Sequence, residues 1–431
     1  MEEKLLKWKN IDRAITQTMR NKGASGVDGM DVSDLRSYVA IHKDALFEAI
    51  ENQSYQAKAI RGVEIPKSNG KTRLLGVPTV VERMLQQAVS QTIMPYFEQE
   101  FRTESYGFRP NKNAQQAVLQ AQEHINSGRK YIVDIDLKSF FDEVEHYILL
   151  ELIYKKVKCP KILRLIRKWL RAPILIKGKL QKRRKGIPQG SPLSPLLSNI
   201  MLNELDHYLA ANGQKFVRYA DDFSIYCTSQ KEAKKIGNEV FLFLKTKLRL
   251  PINTEKSGIR KPSQFTMLGF GFTSAYKKGI KGQYQLIVSA KKWKSLKADL
   301  KRVSRKTKPK SLKERIKELL QIQRGWLNYF RIANIYSKLQ KIDSWLRNRI
   351  RYCIWHDWKK LNRKRKNLIR LGISKGQAYA WSRTRMGGWA VAQSPILKTT
   401  ITESRLRKRG YQSLEAHYRK VSLKFNEPLY T

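Results

Sequence analysis

The sequence has few cysteines, few acidic residues and no long hydrophobic run. Its three cysteines, Cys159, Cys227 and Cys353, are far apart and form no C-x-x-C pair. This pattern disfavours a disulfide framework, a zinc finger and a zinc-dependent nuclease module. No apolar run reaches the length of a membrane span, and the start, MEEKLLKWKN, has no apolar signal segment. We therefore expect a cytoplasmic protein with no membrane partner.

The shortage of acidic residues leaves a large positive charge. The 431 residues include 86 Lys and Arg against 36 Asp and Glu, a formal net charge of +50. Because this much like charge repels itself, it favours a polyanionic partner, and nucleic acid fits best. The hydrophobic content of 41% is that of a folded protein, which excludes a disordered basic tail. Residues 291–431 carry 38 basic and 8 acidic residues, so the excess is concentrated there.

The pattern of apolar residues predicts an α+β domain followed by a helical region. In the first two thirds, helical patterns alternate with short strand patterns, including a hairpin over 62–78. Beyond about residue 290, apolar spacing from Leu312 to Leu327 and from Leu339 to Cys353 predicts two amphipathic helices.

Two adjacent acids stand in the stretch KFVRYADDFSIYC, residues 215–227. The flanking segments alternate as strands do, and Ala220, Asp221 and Asp222 form the connection. Carboxylates held between rigid strands suit a hard cation such as Mg²⁺. Asp is also common in turns because its side chain bonds to the local backbone, so this stretch alone does not decide between a turn and a metal site.

A second acidic stretch, VDIDLKSFFD, strengthens the metal hypothesis. Its period-two pattern places Asp134 and Asp136 on one face of a strand. If Asp136 lies beside the hairpin tip, three carboxylates converge and repel one another unless a cation is present. Two divalent ions would offset that repulsion and create a centre for phosphoryl transfer. Spacing alone leaves open whether Asp134 is also a ligand.

Several motifs occur in the order found in reverse transcriptases, and together they closely resemble the group II intron-encoded reverse transcriptases, or maturases. The resemblance covers nearly the whole chain, including RGWLNYF (324–330), which is similar to the family's helical thumb. The motifs are IPKSNGKTRLLGVPTVVERMLQQA (65–88), SYGFRP (105–110), DLKSFFD (136–142), GIPQGSPLSPLL (186–197), YADD (219–222) and MLGFGF (267–272).

The resemblance implies a right-hand-like polymerase, with fingers and a palm built from an antiparallel sheet and helices. The implied division has four parts. They are an N-terminal extension with the fingers (1–128), the palm (129–290), a helical thumb or maturase domain (291–365) and a basic DNA-binding region (366–431).

The resemblance also implies roles for individual residues. Asp136, Asp221 and Asp222 match the three catalytic carboxylates that hold two Mg²⁺ ions. Asp136 is preferred to Asp134 because an aromatic residue follows it by five positions. That residue, Phe141, matches the side chain that rejects a ribose 2′-hydroxyl, whereas core packing is the ordinary alternative for a phenylalanine.

Four further residues match positions that contact the incoming nucleotide. Lys67 and Arg73 match residues that hold its triphosphate, a role suited to an ammonium and a bidentate guanidinium. Gln189 and Lys256 match positions close to the nucleotide. Arg109, in GFRP, is as readily structural as functional.

The implied function is RNA-directed DNA polymerisation by a protein that also binds group II intron RNA and assists splicing and retromobility. Its implied partners are the intron RNA, an RNA template–DNA primer duplex, target DNA and deoxynucleoside triphosphates, in a bacterial cytoplasm and on nucleoid DNA. The sequence stops where many relatives carry a zinc-containing endonuclease domain, so it resembles the endonuclease-lacking class C. The alternatives are an RNA-binding splicing cofactor without polymerase activity and a related reverse transcriptase recruited to host defence or repair.

Overall fold

The computed structural model describes residues 2–66, 70, 72–275 and 282–426. It divides into two compact units, Met1–Pro262 and Ser263–Thr431. Helices and strands are mixed up to residue 288 and only helices follow in the described residues, as the predicted α+β domain with a helical region requires. The boundary between the units follows Pro262, whereas the sequence places the end of the palm at residue 290. The four-part division above remains a prediction. No helix in the described ranges is both long and apolar enough to cross a membrane.

The first unit contains ten α-helices and eight strands within its described residues. Its helices are α1 (Glu2–Leu5), α2 (Trp8–Arg20), α3 (Leu35–Glu51), α4 (Val80–Glu98), α5 (Ala114–Asn126), α6 (Phe140–Glu143), α7 (His146–Val157), α8 (Pro160–Arg171), α9 (Ser194–Ala211) and α10 (Gln230–Phe243). Its strands are β1 (Ile60–Pro66), β2 (Thr72–Val77), β3 (Tyr131–Ile135), β4 (Ile174–Ile176), β5 (Lys179–Gln181), β6 (Lys215–Tyr219), β7 (Asp222–Cys227) and β8 (Gly258–Arg260).

A four-stranded antiparallel sheet, in the order β6-β7-β3-β8, forms the centre of this unit. Strand β7 is almost wholly buried, since every residue from Phe223 to Cys227 is inaccessible to solvent and only Asp222 is exposed. Helices α5, α9 and α10 pack against this sheet, and α9 and α10 join it to a continuous apolar core. The apolar strands therefore fix the sheet firmly, and the carboxylates at its end are held by that frame.

A second sheet, in the order β2-β1-β4-β5, lies in the same unit. The predicted hairpin is confirmed as the antiparallel pair β1–β2, in which Ile65 is opposite Arg73. After β2 the chain enters α4 through a capping box, in which Thr79 and Glu82 bond to each other's backbone amides. The hairpin and α4 thus have a defined junction, which positions Arg73 on a regular strand.

The second unit is mainly helical. Its strands are β9 (Thr266–Met267), β10 (Phe270–Ser274) and β11 (Tyr284–Val288), in the order β11-β10-β9. Its helices are α11 (Ala290–Val303), α12 (Leu312–Phe330), α13 (Tyr336–Asp357), α14 (Leu361–Arg370), α15 (Lys375–Ser382), α16 (Gly388–Gln393), α17 (Pro395–Thr400), α18 (Glu403–Lys408) and α19 (Leu414–Asn426). The two predicted amphipathic helices are confirmed as α12 and α13, each of which buries its apolar stripe.

Candidate active site

The two adjacent acids lie at a tight hairpin between β6 and β7. Tyr219 pairs with Asp222, which leaves Ala220 and Asp221 as a two-residue tip. Ala220 has a φ of +58°, a left-handed conformation that such tight hairpins require. Asp222 is therefore the first residue of β7 rather than part of the connection, and the strand fixes its backbone.

Asp136 lies at the same end of the central sheet. Strand β3 runs antiparallel to β7 with Ile135 opposite Phe223, so the next positions, Asp136 and Asp222, face each other. The Oδ2 atom of Asp136 accepts a hydrogen bond from Asn253 Nδ2 at 2.9 Å. The same oxygen lies 3.2 Å from Lys256 Nζ. The sequence-predicted residues Asp136, Asp221, Asp222 and Lys256 thus meet at one edge of the sheet.

The electrostatics of this edge show crowded negative charge. Partial burial raises the pKa of Asp222 to about 6, with further contributions from Asp221, Asp136 and Asp134, while Lys256 acts in the opposite direction. Burial and the charge of Asp136 also raise the pKa of Asp221, against the lowering effect of Arg73. In a protein with a net charge of +50, these carboxylates form a locally undercompensated acidic site.

The donor chemistry fits a divalent cation, although the present arrangement does not enclose one. Carboxylate oxygens are the ligands that Mg²⁺ prefers, and the raised pKa of Asp222 shows charge that a cation would neutralise. Within the described ranges, no three acidic, histidine or cysteine side chains are grouped closely enough to hold a metal ion. Asn253 and Lys256 occupy an oxygen of Asp136, so a metal ion would have to displace or share these partners.

Asp134 is paired with an arginine, whereas the cation beside Asp136 is Lys256. The Oδ2 atom of Asp134 accepts a hydrogen bond from Arg260 Nε at 2.7 Å. Burial raises the pKa of Asp134, and the bond to Arg260 opposes that shift. The guanidinium therefore compensates this carboxylate without any metal.

A cavity of about 430 Å³ brings together three of the predicted nucleotide-binding residues, Arg73, Phe141 and Gln189. Arg73 Nε donates a hydrogen bond to Gln189 Oε1 at 2.6 Å, which orients both side chains. Arg73 also acts electrostatically on Asp221, so the cavity and the carboxylates are within reach of each other. The other lining residues are Thr18, Asn21, Gly23, Leu75, Arg83, Phe108, Gly190, Ser191, Pro192, Ser194 and Pro195.

The paired phenylalanines after Asp136 have different environments. Phe140 is 2% exposed and belongs to the core, whereas Phe141 is half-buried and lines the cavity. Their rings are 5.2 Å apart in an edge-to-face arrangement, so the buried ring supports the other. Phe141 is thus held in a position from which it can contact a ligand.

The loop that carries Gln189 is fixed by close backbone packing. The amide of Gly76 in β2 donates to the carbonyl of Gln189 at 2.8 Å. The next residue, Gly190, has a φ of +120°, and a Cβ there would lie 2.7 Å from the Gly76 carbonyl oxygen. Only glycine allows this approach, so strand β2 determines where Gln189 stands.

Two further residues of the sequence motifs are Lys67 and Arg109. Lys67 lies outside the described residues. Arg109 has a structural environment: its guanidinium donates to Glu98 Oε1 at 2.7 Å and to the carbonyl oxygens of Arg102 and Ser105 at 2.5 and 2.8 Å. These bonds hold the segment between α4 and α5 in place.

The sequence interpretation missed residues that support the hairpin. Arg218 is fully buried and donates to Asp206 in α9, to Asn199 Oδ1 and to the carbonyl oxygen of Ala220. The available signal was an arginine at an inward position of an apolar strand, two residues after the buried Phe216.

Part of the cavity wall was also missed, because it comes from the N-terminal segment. Thr18, Asn21 and Gly23 line the cavity although they precede the first predicted motif. Arg83 in α4 donates to the Ala24 carbonyl oxygen at 2.7 Å and anchors this segment. The glycine-rich composition of residues 21–30 gave no periodic signal for such a contact.

Comparison with known proteins finds two family matches in the chain. Residues 65–272 match the reverse transcriptase (RNA-dependent DNA polymerase) family, and residues 293–372 match the group II intron maturase-specific domain. The chain is 30% identical over 318 residues to Protein YkfC of Escherichia coli (strain K12). The aligned region covers 60% of this chain and 84% of that protein.

Two further relatives are named after the introns that encode them. The group II intron-encoded protein LtrA of Lactococcus lactis subsp. cremoris is 35% identical over 200 residues, covering 46% of this chain and 33% of LtrA. A protein named for COX1/OXI3 intron 2 of Saccharomyces cerevisiae (strain ATCC 204508 / S288c) is 26% identical over 311 residues, covering 58% of this chain and 35% of that protein. The chain thus spans about a third of the length of these two relatives.

These matches define the class of the protein: it belongs to the reverse transcriptase family. Within that family it carries the group II intron maturase-specific domain, as the sequence resemblance predicts.

Proposed function

We propose that this protein extends a DNA primer on an RNA template, and that it binds group II intron RNA to assist splicing and retromobility. The observation that carries the proposal is the meeting of Asp136, Asp221 and Asp222 at one sheet edge, within electrostatic reach of a cavity that contains Arg73 and Gln189. Carboxylates for a cation and cationic groups for a triphosphate are the two components that nucleotidyl transfer requires.

In this proposal Asp136, Asp221 and Asp222 hold two Mg²⁺ ions, which would activate the primer 3′-hydroxyl and stabilise the departing pyrophosphate. Arg73, oriented by Gln189, binds the triphosphate through its planar guanidinium. Phe141 blocks the space of a 2′-hydroxyl, and Lys67, by family resemblance, adds a second charge for the phosphates. Lys256 neutralises Asp136 until the nucleotide is bound.

The same proposal assigns broader roles to the remaining regions. The central sheet serves as the palm, the β1–β2 hairpin as part of the fingers and helices α12 and α13 as the thumb. The charge excess of residues 291–431 suits contacts with the phosphates of intron RNA, the template–primer duplex and target DNA.

We also assign the chain to the endonuclease-lacking class C. The support is the cysteine pattern, since Cys159, Cys227 and Cys353 are buried and form no C-x-x-C pair.

The test is Mg²⁺-dependent primer extension on an RNA template. Asp221→Ala combined with Asp222→Ala should reduce the rate by about 10³-fold or more, because metal-assisted catalysis supplies several kcal/mol of transition-state stabilisation. Asp44→Ala, on the exposed surface of α3, is the matched control and should extend normally. Normal extension by the double variant would refute the metal assignment, and no cDNA from the wild type would refute the polymerase.

The splicing role is tested separately with the double variant and a group II intron transcript. Because intron binding depends on the basic surface and not on the carboxylates, we expect splicing to persist when polymerisation is lost. A wild-type protein that splices without making cDNA would instead support the RNA-binding cofactor.

A further inference from the structure

A basic recess of about 730 Å³ lies in the second unit, between α12 and the start of α19. Five of its lining residues carry guanidinium, ammonium or imidazole groups: Arg324, Arg331, Arg407, His417 and Lys420. None of the described lining residues is acidic. A concave surface with this composition attracts anions, because neighbouring positive charges reinforce one another.

The walls of the recess are held by hydrogen bonds. Asp343, buried in α13, accepts from the backbone amides of Leu414 and Glu415 at 2.8 and 2.9 Å and caps the start of α19. Farther along α19, Tyr418 donates to the Ala333 carbonyl oxygen at 2.7 Å. Helix α19 is thus attached to the α12–α13 pair at two places, and the recess keeps its shape without a ligand.

Two of the cationic groups have no counter-charge among the described residues. Arg407 is neutralised by Glu403 at 2.6 Å. By contrast, Arg324 and Lys420 are exposed and have no ion pair within the described part of the chain. The recess therefore presents two uncompensated charges on facing helices.

The imidazole of His417 adds a third unsatisfied group. Its Nε2 atom is inaccessible to solvent and has no hydrogen-bond partner among the residues that the structure describes. Partial burial, then the charges of Arg324 and Lys420, lower the pKa of His417. The neutral imidazole can still donate one hydrogen bond, and an anion in the recess would give it a partner and relieve the crowding of charge.

We propose that this recess binds a backbone phosphate of the nucleic acid partner, with Arg324 and Lys420 as its two main contacts. The proposal depends on the nucleic acid-binding function proposed above and specifies where in the second unit one contact is made. Helix α12 lies within the maturase-specific match, whereas α19 lies beyond its end at residue 372. A phosphate between them would join α19 to the maturase-specific domain.

The test compares two double variants with the same change of charge. Arg324→Ala with Lys420→Ala removes the proposed contacts. Lys313→Ala with Lys317→Ala removes two exposed lysines of α12 that do not line the recess. Binding of a fluorescent single-stranded RNA, and of DNA of the same sequence, is measured by anisotropy over a range of salt concentrations in the full chain. Thermal melting verifies that each variant is folded.

If the recess binds phosphate, the Arg324/Lys420 variant loses about tenfold in affinity. The slope of log affinity against log salt also decreases by roughly 1.4, since each contact with a single strand releases about 0.7 of a counterion. The Lys313/Lys317 variant should change much less. Loss with RNA alone identifies RNA as the ligand, loss with DNA alone identifies DNA, and loss with both identifies the shared backbone phosphate.

Equal losses of affinity in the two variants would overturn the proposal, because they would indicate a diffuse electrostatic attraction of the nucleic acid. Unchanged binding by the Arg324/Lys420 variant would also overturn it. The measurements are repeated with Asp221→Ala and Asp222→Ala present, so that the outcome does not depend on polymerase activity. The outcome for phosphate binding in the recess is thereby distinguished from the outcome for the proposed catalytic site.

Discussion

The guanidinium of Arg218 and the carboxylate of Asp206 form an ion pair that is completely buried, with Nε 2.8 Å from Oδ1. The same guanidinium donates to the carbonyl oxygen of Ala220 at 3.0 Å, at the tip that carries Asp221. Helix α9 is thereby attached to the hairpin. We infer that this pair positions the acidic tip without contacting the substrate.

We expect Asp206→Asn to destabilise the first unit by about 3–5 kcal/mol, because it leaves the buried charge of Arg218 without a counter-charge. The urea midpoint measures this loss. Asp12→Asn breaks the exposed pair with Arg36 and should cost at most about 1 kcal/mol. Similar small shifts in both variants would show that the buried pair does not hold the hairpin.

Asp222→Asn should stabilise the protein at neutral pH while it abolishes polymerisation. The pKa of Asp222 is raised to about 6 in the folded protein, so the folded state binds this proton more tightly than the unfolded chain does. Protonated Asp222 therefore stabilises the folded protein at pH values below about 4, and this stabilisation is lost as the pH rises through about 6. The Asn variant should therefore melt at a higher temperature than the wild type at neutral pH, and the difference should disappear near pH 4.

Asp44→Asn is the control for this pH dependence, since Asp44 is exposed on α3 and is not among the charges that raise the pKa of Asp222. Mg²⁺ provides a second readout: it should raise the melting temperature of the wild type by mass action and that of the Asp222 variant much less. Equal stabilisation of both proteins by Mg²⁺ would argue against a metal at this edge.

Gly190→Ala should impair the use of nucleotides more than it impairs folding. A Cβ at this position would lie 2.7 Å from the Gly76 carbonyl oxygen and displace the loop that holds Gln189. A displacement of about 1 Å near reacting groups can cost about 10²-fold in rate, so we expect a loss of that order in primer extension.

Gly178→Ala is a matched control for Gly190→Ala. Gly178 also has a positive φ, +81°, but nothing lies within 4 Å of the position that a Cβ would take. Gly178→Ala should lose about 1–2 kcal/mol of stability through backbone strain, Gly190→Ala should lose more because of its close contact, and only the Gly190 variant should lose activity. Equal activity in the two variants would mean that the position of Gln189 is not important.

The sequence predicted the elements whose signal is local. Alternation around Asp221 and Asp222 predicted the hairpin, and the apolar stripes of α12 and α13 predicted two helices, which the structure confirms. From the sequence, Asp136 meets Asp222 only if their two strands lie side by side, and strand pairing between distant segments has no local signature. The register of β3 on β7 supplies that information.

Other features could not be predicted because they depend on tertiary contacts. The inward position of Arg218 in its strand was visible in the sequence, but its counter-charge was not, because Asp206 reaches it only through the packing of α9. The wall formed by Thr18 and Asn21 likewise depends on how the N-terminal segment folds back towards Arg83. Spacing could not separate Asp134 from Asp136. In the structure Asp134 bonds to Arg260, whereas Asp136 contacts Lys256.

Phe141→Ala should relax the discrimination against ribonucleotides. Phe141 lines the cavity and is supported from behind by buried Phe140, so its ring cannot easily move away from an added 2′-hydroxyl. Removing the ring should lower the ratio of kcat/KM for deoxyribonucleotides over ribonucleotides by about 10- to 200-fold, the range that steric fit in a pocket supplies. Single-nucleotide incorporation measures both constants.

Phe241→Ala, on α10 and outside the cavity, removes a partly exposed ring and should leave the ratio unchanged. An unchanged ratio in the Phe141 variant would assign this ring to packing alone.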